Sequence, residues 1–253
     1  MNTFKISVKD KVAILTLDRG KANAINAEMA AELTDMFNNI QADSSAGGLI
    51  ITGKEDFFSA GLDLIELFDY NENQIKEFWQ TFLNLVKTAT SFSKPMVAAI
   101  NGHSPAGGCV LALCCDYRLM AEGKYIIGLN EVPVGIIVPD SIFNLYAFWI
   151  GKSLAYQFLL EGKLMGTGEA LKYKLVDEVV NKASILTLAE RQVRKYLQFN
   201  WTTWQQSKLN MRGELIQSTS KDQTEILDAI LKQWWSPYSR SIMQTIINNL
   251  KKS

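Results

Sequence analysis

Short apolar segments alternate with amphipathic segments of helical period through the first hundred residues of this 253-residue chain. The predicted elements follow one another as a hairpin, a helix, a strand, a helix and a strand, at residues 4–19, 27–43, 49–53, about 73–90 and 96–100. Each helical segment repeats apolar residues three or four positions apart, and each later strand is a short apolar run. Strand–helix–strand order of this kind predicts an α/β fold.

The second half of the chain has a different pattern, which becomes wholly helical over the last seventy or so residues. Short strands are predicted near 116–121 and 125–129, and helices near 140–149 and 152–161, but from about residue 183 the periodicity is helical with no clear strand. Four of the six tryptophans lie in this last part: Trp201, Trp204, Trp234 and Trp235. Rings of this size must be covered, and either the core of this chain or another subunit can cover them.

Charge and hydropathy exclude several classes of partner. Lysine plus arginine and aspartate plus glutamate both number 26, so the formal net charge is zero. A chain without a basic excess does not indicate binding to nucleic acid or to an anionic membrane. Residues 96–115 come closest to a membrane span, but Asn101, His103, Ser104 and Pro105 interrupt them. We therefore expect a globular protein with neither nucleic acid nor membrane as a partner.

The cysteines and the first residues bear on location. Cys109, Cys114 and Cys115 lie in one apolar segment and form no Cys-x-x-Cys pair, which indicates buried free thiols in a reducing compartment. Residues 1–17 alternate apolar and polar side chains and lack the long apolar core of a secretory signal. The sequence therefore predicts a cytoplasmic location.

The segment "NGHSPAGGCVLALCC" begins a buried helix with two glycines, although glycine weakens a helix by roughly 1 kcal/mol relative to alanine. We predict Ser104 as the N-cap and Pro105 as the first helical residue, which places Gly107 in the first turn. Backbone NH groups there lack helical partners and lie at the positive end of the helix dipole. They suit a carbonyl oxygen that becomes negative during a reaction, but glycines also permit tight helix–strand packing, and the residues alone favour neither explanation.

Two further segments carry candidate groups. In "FFSAGLDL" Gly61 permits a turn that a larger residue would resist, and the NH of Ala60 is placed to face a ligand. Glu131 lies between the apolar runs "YIIGLN" and "VPVGIIVP", where burial would raise its pKa and suit it to proton transfer. A capping or ion-paired glutamate is the alternative. His103 is the only histidine, and without a GxSxG elbow it is more often structural than catalytic.

Four segments together resemble the crotonase (enoyl-CoA hydratase/isomerase) superfamily over about residues 4–250: "FSAGLDL", "NGHSPAGGCVLALCCDYRLMA", "IGLNEVPVGII" and "GKLMGTGEALKYKLVDEVV". They are most similar to its Δ3,Δ2-enoyl-CoA isomerase branch of the mitochondrial type. The resemblance implies a spiral of ββα repeats that carries an acyl-CoA site over residues 1–190. It also implies a helical region over residues 191–253 that builds a homotrimer or a hexamer.

The same resemblance implies the site. The backbone NH groups of Ala60 and Gly107 would hold the thioester oxygen of an acyl-CoA substrate, and Glu131 would be the acid/base. Residues expected to line the CoA site are Lys21, Ala22, Ala24, Ala60, Gly61, Leu62, Asp63 and Gly107. No metal and no bound cofactor are implied, because CoA arrives as part of the substrate.

The choice of reaction depends on two positions. Hydratases of the superfamily use two glutamates, and this chain has Val110 in place of the first and Glu131 in place of the second. Hydration needs both a positioned water and a proton delivered to carbon, whereas one carboxylate can move a proton from carbon 2 to carbon 4. We therefore predict an isomerase that converts 3-enoyl-CoA to 2-enoyl-CoA. The alternatives are hydration or another crotonase reaction, and an acyl-CoA-binding or protein-binding member without catalysis.

Overall fold

The computed structural model describes residues 2–251. Its strands are β1 Phe4–Lys9, β2 Val12–Leu17, β3 Gly48–Thr52, β4 Met96–Ile100, β5 Ser104–Pro105, β6 Tyr117–Ala121, β7 Ile126–Gly128, β8 Leu164–Gly166 and β9 Glu178–Val180. Its helices are α1 Ala27–Ala42, α2 Leu64–Phe68, α3 Glu72–Thr90, α4 Gly107–Cys114, α5 Asp140–Ile150, α6 Lys152–Glu161, α7 Thr167–Lys172, α8 Ile185–Leu197, α9 Trp201–Met211, α10 Gly213–Ser220, α11 Thr224–Trp234 and α12 Pro237–Leu250, with a 3-10 turn at Lys182–Ser184.

The main sheet has the order β1-β2-β3-β4-β6-β9. Only the β1–β2 pair is antiparallel, and every later neighbour is parallel. Asp10 and Lys11 have φ values of 48° and 66°, and two such residues make the type I′ turn that suits the strand twist of a hairpin. The hairpin predicted over residues 4–19 is confirmed, and its second strand ends at Leu17.

Helices α1 and α3 cover one face of the sheet and pack against each other. The Asn26 side chain caps α1, and a reciprocal capping box between Asn71 and Gln74 begins α3. The apolar residues of α1 that the periodicity assigned to one face are all buried: Met29, Leu33, Met36, Phe37 and Ile40. Helix α8 lies against the main-sheet strands in a second, smaller apolar cluster.

A small second sheet has the order β5-β7-β8, and its strand β5 directly precedes α4. Ser104 pairs with Ile127 and Pro105 with Gly128, so both residues are in a strand and not in a helix. The predicted N-cap at Ser104 and first helical position at Pro105 are therefore wrong. Helix α4 begins at Gly107, and the prediction that Gly107 lies in the first turn is confirmed.

The C-terminal helices pack on the rest of the chain. Trp234 is 1% exposed and its ring meets that of Trp79 from α3 edge to face, with centroids 6.5 Å apart. Of the two coverings considered for the tryptophans, the core of this chain is therefore the one that applies to Trp234. Trp201, by contrast, is 42% exposed. Over the described range, no helix has the length and apolar character needed to cross a bilayer.

Candidate active site

Two segments that are distant in sequence lie side by side at the site. The NH of Ile25 donates to the Gly61 carbonyl (2.7 Å), and the NH of Asp63 donates back to the Ile25 carbonyl (2.9 Å). Asn23 is fully buried between the segments, and its side-chain amide donates to the carbonyls of Phe57 and Phe58. The segments around residues 19–26 and 57–63 are thereby fixed against each other.

The NH groups of residues 59–62 are not equivalent. Ser59 donates to the His103 carbonyl (3.3 Å), Ala60 to the Ala22 carbonyl (2.9 Å) and Gly61 to the Ser59 hydroxyl (3.2 Å). Within residues 2–251, the NH of Leu62 has no hydrogen-bond partner. The prediction that Ala60 offers the oxyanion donor is therefore wrong in this structure, because its NH is already used. Leu62, expected only as a CoA contact, has the NH that is available.

The second donor is at the beginning of α4. Ala106, which precedes Gly107, has φ 49° and ψ −124°, a backbone conformation that non-glycine residues adopt at a cost and that clusters at functional sites. Its NH donates to the Gly128 carbonyl (2.8 Å), which anchors the turn to β7. The Gly107 NH is in the first turn of α4 and has no partner in the described part of the chain.

Glycines let the two segments come this close. A Cβ atom on Gly61 would be 3.2 Å from the Gly107 nitrogen and 2.9 Å from the Ala106 Cβ, and the φ of +89° at Gly61 also favours glycine. A Cβ atom on Gly108 would be 2.4 Å from the Ser59 carbonyl oxygen. The packing explanation of the Gly-Gly helix start therefore holds, and the same close packing places the Leu62 segment beside the first turn of α4.

Glu131 begins a turn between β7 and α5, and the NH groups of Val134 and Ile136 donate to its backbone carbonyl. Although the residue as a whole is only partly covered, the carboxyl Oε2 atom is buried without a hydrogen-bond partner among the described residues. Burial raises the pKa of this carboxyl group to about 7. Neither the capping nor the ion-paired alternative holds, because its carboxylate forms no salt bridge or helix cap within that part of the chain.

The residues expected to bind CoA lie together but do different things. Lys21 is exposed at the edge of the site, and the Ala22 and Ala24 carbonyls accept hydrogen bonds within it. The Asp63 carboxylate caps α2 and pairs with Arg19 at 2.7 Å. Asp63 is thus held by protein partners, whereas the side chain of Lys21 is exposed to solvent.

His103 and the cysteines have structural roles here. The Nδ1 atom of His103 accepts from the Ile126 NH (3.3 Å), and its ring packs between Phe57 and Tyr125. Cys109, Cys114 and Cys115 are buried free thiols, as predicted. Burial raises the pKa of Cys114 to about 11, so its thiol stays protonated at neutral pH. Nowhere in residues 2–251 do three or more His, Cys, Asp or Glu side chains form a group that could hold a metal.

Known proteins resemble this chain along most of its length. A family described as "Enoyl-CoA hydratase/isomerase" matches residues 7–240. Enoyl-CoA delta isomerase 1, mitochondrial, of Mus musculus is 39% identical over 188 residues, which are 74% of this chain and 65% of that protein. The Rattus norvegicus protein of the same name is 33% identical over 235 residues, 92% of this chain and 80% of that one.

The fold agrees with a solved structure of the same group. The crystal structure of human mitochondrial delta3-delta2-enoyl-CoA isomerase superimposes with a TM-score of 0.94 at 27% identity, covering 99% of this chain and 98% of that chain. The predicted α/β crotonase-type fold with a helical C-terminal region is therefore confirmed. The chain belongs to the enoyl-CoA hydratase/isomerase (crotonase) family, a family of enzymes.

Proposed function

We propose that this protein is a Δ3,Δ2-enoyl-CoA isomerase, which moves the double bond of a 3-enoyl-CoA thioester to carbon 2. The observation that carries the proposal is the Glu131 carboxyl group, whose Oε2 atom is buried without a partner among residues 2–251 and whose pKa is raised to about 7 by burial. A carboxyl group with that pKa can both remove and return a proton near neutral pH. The relatives named as enoyl-CoA delta isomerases support the same reaction.

In the proposed mechanism the thioester oxygen accepts hydrogen bonds from the NH groups of Leu62 and Gly107. Glu131 removes a proton from carbon 2, and negative charge moves onto the thioester oxygen of the dienolate. Both NH groups are fixed by the surrounding backbone, so they stabilise this charge without rearranging. Glu131 then delivers the same proton to carbon 4, and the conjugated 2-enoyl-CoA leaves.

Val110 favours isomerisation over hydration. It lies in α4, one turn after Gly107, and is 2% exposed. An apolar side chain at this position cannot orient a water molecule or deliver a proton. Glu131 is then the single proton carrier of the proposed mechanism, which is sufficient for a 1,3 proton shift.

The test is a side-by-side steady-state assay of the purified protein with a 3-enoyl-CoA and with crotonyl-CoA. We expect rapid formation of the conjugated thioester from the first substrate and little hydration of the second. Fast hydration of crotonyl-CoA with Val110 in place would establish the hydratase alternative. Tight acyl-CoA binding with turnover of neither substrate would establish the binding-protein alternative.

The location and the oligomeric state stay predictions. Three buried free thiols support a reducing compartment, and hence the cytoplasmic location proposed here. The homotrimer or hexamer is supported by exposed apolar side chains around a cavity of about 630 Å³ beside α9, among them Phe148, Phe199 and Met211. Light scattering on the purified protein measures the assembly directly, and a monomer would exclude it.

A further inference from the structure

Tyr146 is a buried tyrosine that the proposed mechanism does not use. It lies in α5, the helix that follows the Glu131 turn, and α5 packs on α4. The side chain is 0% exposed, and within residues 2–251 its hydroxyl has no hydrogen-bond partner. Buried tyrosine hydroxyl groups nearly always have a partner, because an unmade hydrogen bond costs the desolvation of the group.

Three ionisable groups act electrostatically on the hydroxyl. Burial raises the pKa of Tyr146 far above its ordinary value, and Cys109 of α4, Glu131 and Glu169 of α7 raise it further. Cys109 is a neighbour of both residues, since the charge of Glu131 also acts on its thiol. Tyr146 and Glu131 therefore share one buried environment, in which the hydroxyl keeps its proton and can donate it in a hydrogen bond.

Two of these neighbours already have partners. The carboxylate of Glu169 pairs with Lys163 at 2.6 Å. The backbone of Gly128 acts on the Cys109 thiol and lowers its pKa, against the larger effect of burial. Glu131 Oε2, by contrast, is buried and unpartnered within the described range, as the Tyr146 hydroxyl is. An ionised carboxylate can only accept hydrogen bonds and a protonated phenol can donate one, so the two groups are complementary.

We propose that Tyr146 is a positioning residue for the acid/base: its hydroxyl donates a hydrogen bond to one bound water, which in turn donates to Oε2 of Glu131. This inference rests on the proposed function of Glu131. With one carboxyl oxygen held by Tyr146, the other is left to face carbons 2 and 4 of the acyl chain. The same hydrogen bond favours the ionised form of Glu131 and so opposes part of the effect of burial.

The test compares Tyr146→Phe, which removes one oxygen and keeps the ring, with the wild type. The matched control is Tyr117→Phe, because the Tyr117 hydroxyl bonds Glu178 (2.7 Å) in β9, away from the site. We expect the acidic limb of the kcat/KM profile for 3-enoyl-CoA to move up by about one pH unit in Tyr146→Phe only. The loss should accordingly be about tenfold greater at pH 6 than at pH 9, and should fall mainly on kcat.

A second readout needs no turnover. The ¹³C carboxyl resonance of Glu131, identified by its disappearance in Glu131→Gln, should titrate about one unit higher in Tyr146→Phe than in the wild type. An unchanged titration, or an equal change in Tyr117→Phe, would overturn the proposal. If the wild type isomerises no 3-enoyl-CoA, the proposed function fails, while the resonance still decides whether Tyr146 and Glu131 are coupled.

Discussion

The two ends of helix α4 differ in whether their free backbone groups have hydrogen-bond partners. At its beginning, the Gly107 NH and the neighbouring Leu62 NH have no partner in the described chain, and Ala106 provides no side-chain cap. At its end, the Cys114 and Cys115 carbonyls accept hydrogen bonds from the Arg212 guanidinium group at 2.7 and 3.0 Å. A helix leaves such groups free at both termini, so the difference comes from the surrounding chain.

The charges follow the same division. Arg118, Lys208 and Arg212 are almost inaccessible beside the end of α4, where cations are favoured by the helix dipole. Lys208 and Arg212 pair with Asp116, and Arg118 pairs with Asp177 at 2.7 Å. At the end that only supports the fold, each of these cations is thus in an ion pair. The end proposed to bind a negative oxygen keeps its donors free.

The largest effect is expected at the open end. Glu131→Gln should lower isomerisation by about 10²–10⁴-fold, because amide nitrogen and oxygen cannot carry the proton. Steady-state assays measure this, and a variant with near-normal turnover would require another base.

The same substitution should raise stability at high pH. Folding raises the Glu131 pKa from 4.5 to about 7, because the ionised carboxylate is unfavourable when it is buried. The free energy of unfolding of the wild type therefore decreases as pH rises through that interval. Glu131→Gln should therefore be more stable than the wild type at pH 8, by up to about 3 kcal/mol, and nearly equal at pH 4. Urea unfolding of both proteins at both pH values measures this. The same difference in stability between variant and wild type at pH 4 and pH 8 would contradict it.

At the ion-paired end of α4, we expect substitutions to lower the free energy of unfolding. Arg118→Met removes hydrogen bonds to the Leu175 and Cys115 carbonyls and the ion pair with Asp177, all at a fully buried guanidinium. Breaking such a buried pair costs about 3–5 kcal/mol. Urea unfolding should show this loss, whereas Arg194→Met, which removes an exposed i,i+4 pair with Glu190, should change stability by under about 1 kcal/mol. Similar losses of stability in both variants would contradict the expected difference between the buried and the exposed ion pair.

The smallest of the four expected effects concerns the packing that brings the two backbone NH groups together. Gly108→Ala places a Cβ atom against the Ser59 carbonyl and should push the segment with Leu62 away from α4. Loss of one oxyanion donor typically costs about 10²–10³-fold in rate, and we expect the lower end of that range. Gly168→Ala in α7 is the control, since an added Cβ there meets no atom within 4 Å. Unchanged activity in a folded Gly108→Ala protein would mean that this contact does not set the site.

Much of the fold could be predicted because its signals are local. Apolar periodicity identified the buried faces of α1 and α3, and a charged two-residue turn identified the first hairpin. Ser104 and Pro105 have the chemistry of a helix start, but pairing with β7 draws them into a strand. That pairing partner lies more than twenty residues later, and no local sequence pattern predicts the pairing.

The site could be predicted in part for the same reason. Glu131 and Gly107 stand out by their neighbours in sequence. The choice between Ala60 and Leu62 depends instead on the Ala22 carbonyl, which takes the Ala60 NH from a distant segment, and on the turn that Gly61 makes between them. Tyr146 has no signal in the sequence, because its electrostatic coupling to Glu131 arises only in the folded chain.

The cations at the end of α4 also bear on the order in which the chain is made. Lys208 and Arg212 are synthesised more than ninety residues after Asp116, the anion with which both pair. Until they emerge from the ribosome, the end of α4 has a carboxylate and two carbonyls that cannot be buried without cost. A nascent chain of 190 residues therefore contains every residue assigned to the site but not the counterions that hold its central helix. The C-terminal helices complete the enzyme, and they cannot be exchanged for those of another protein unless both cations are kept.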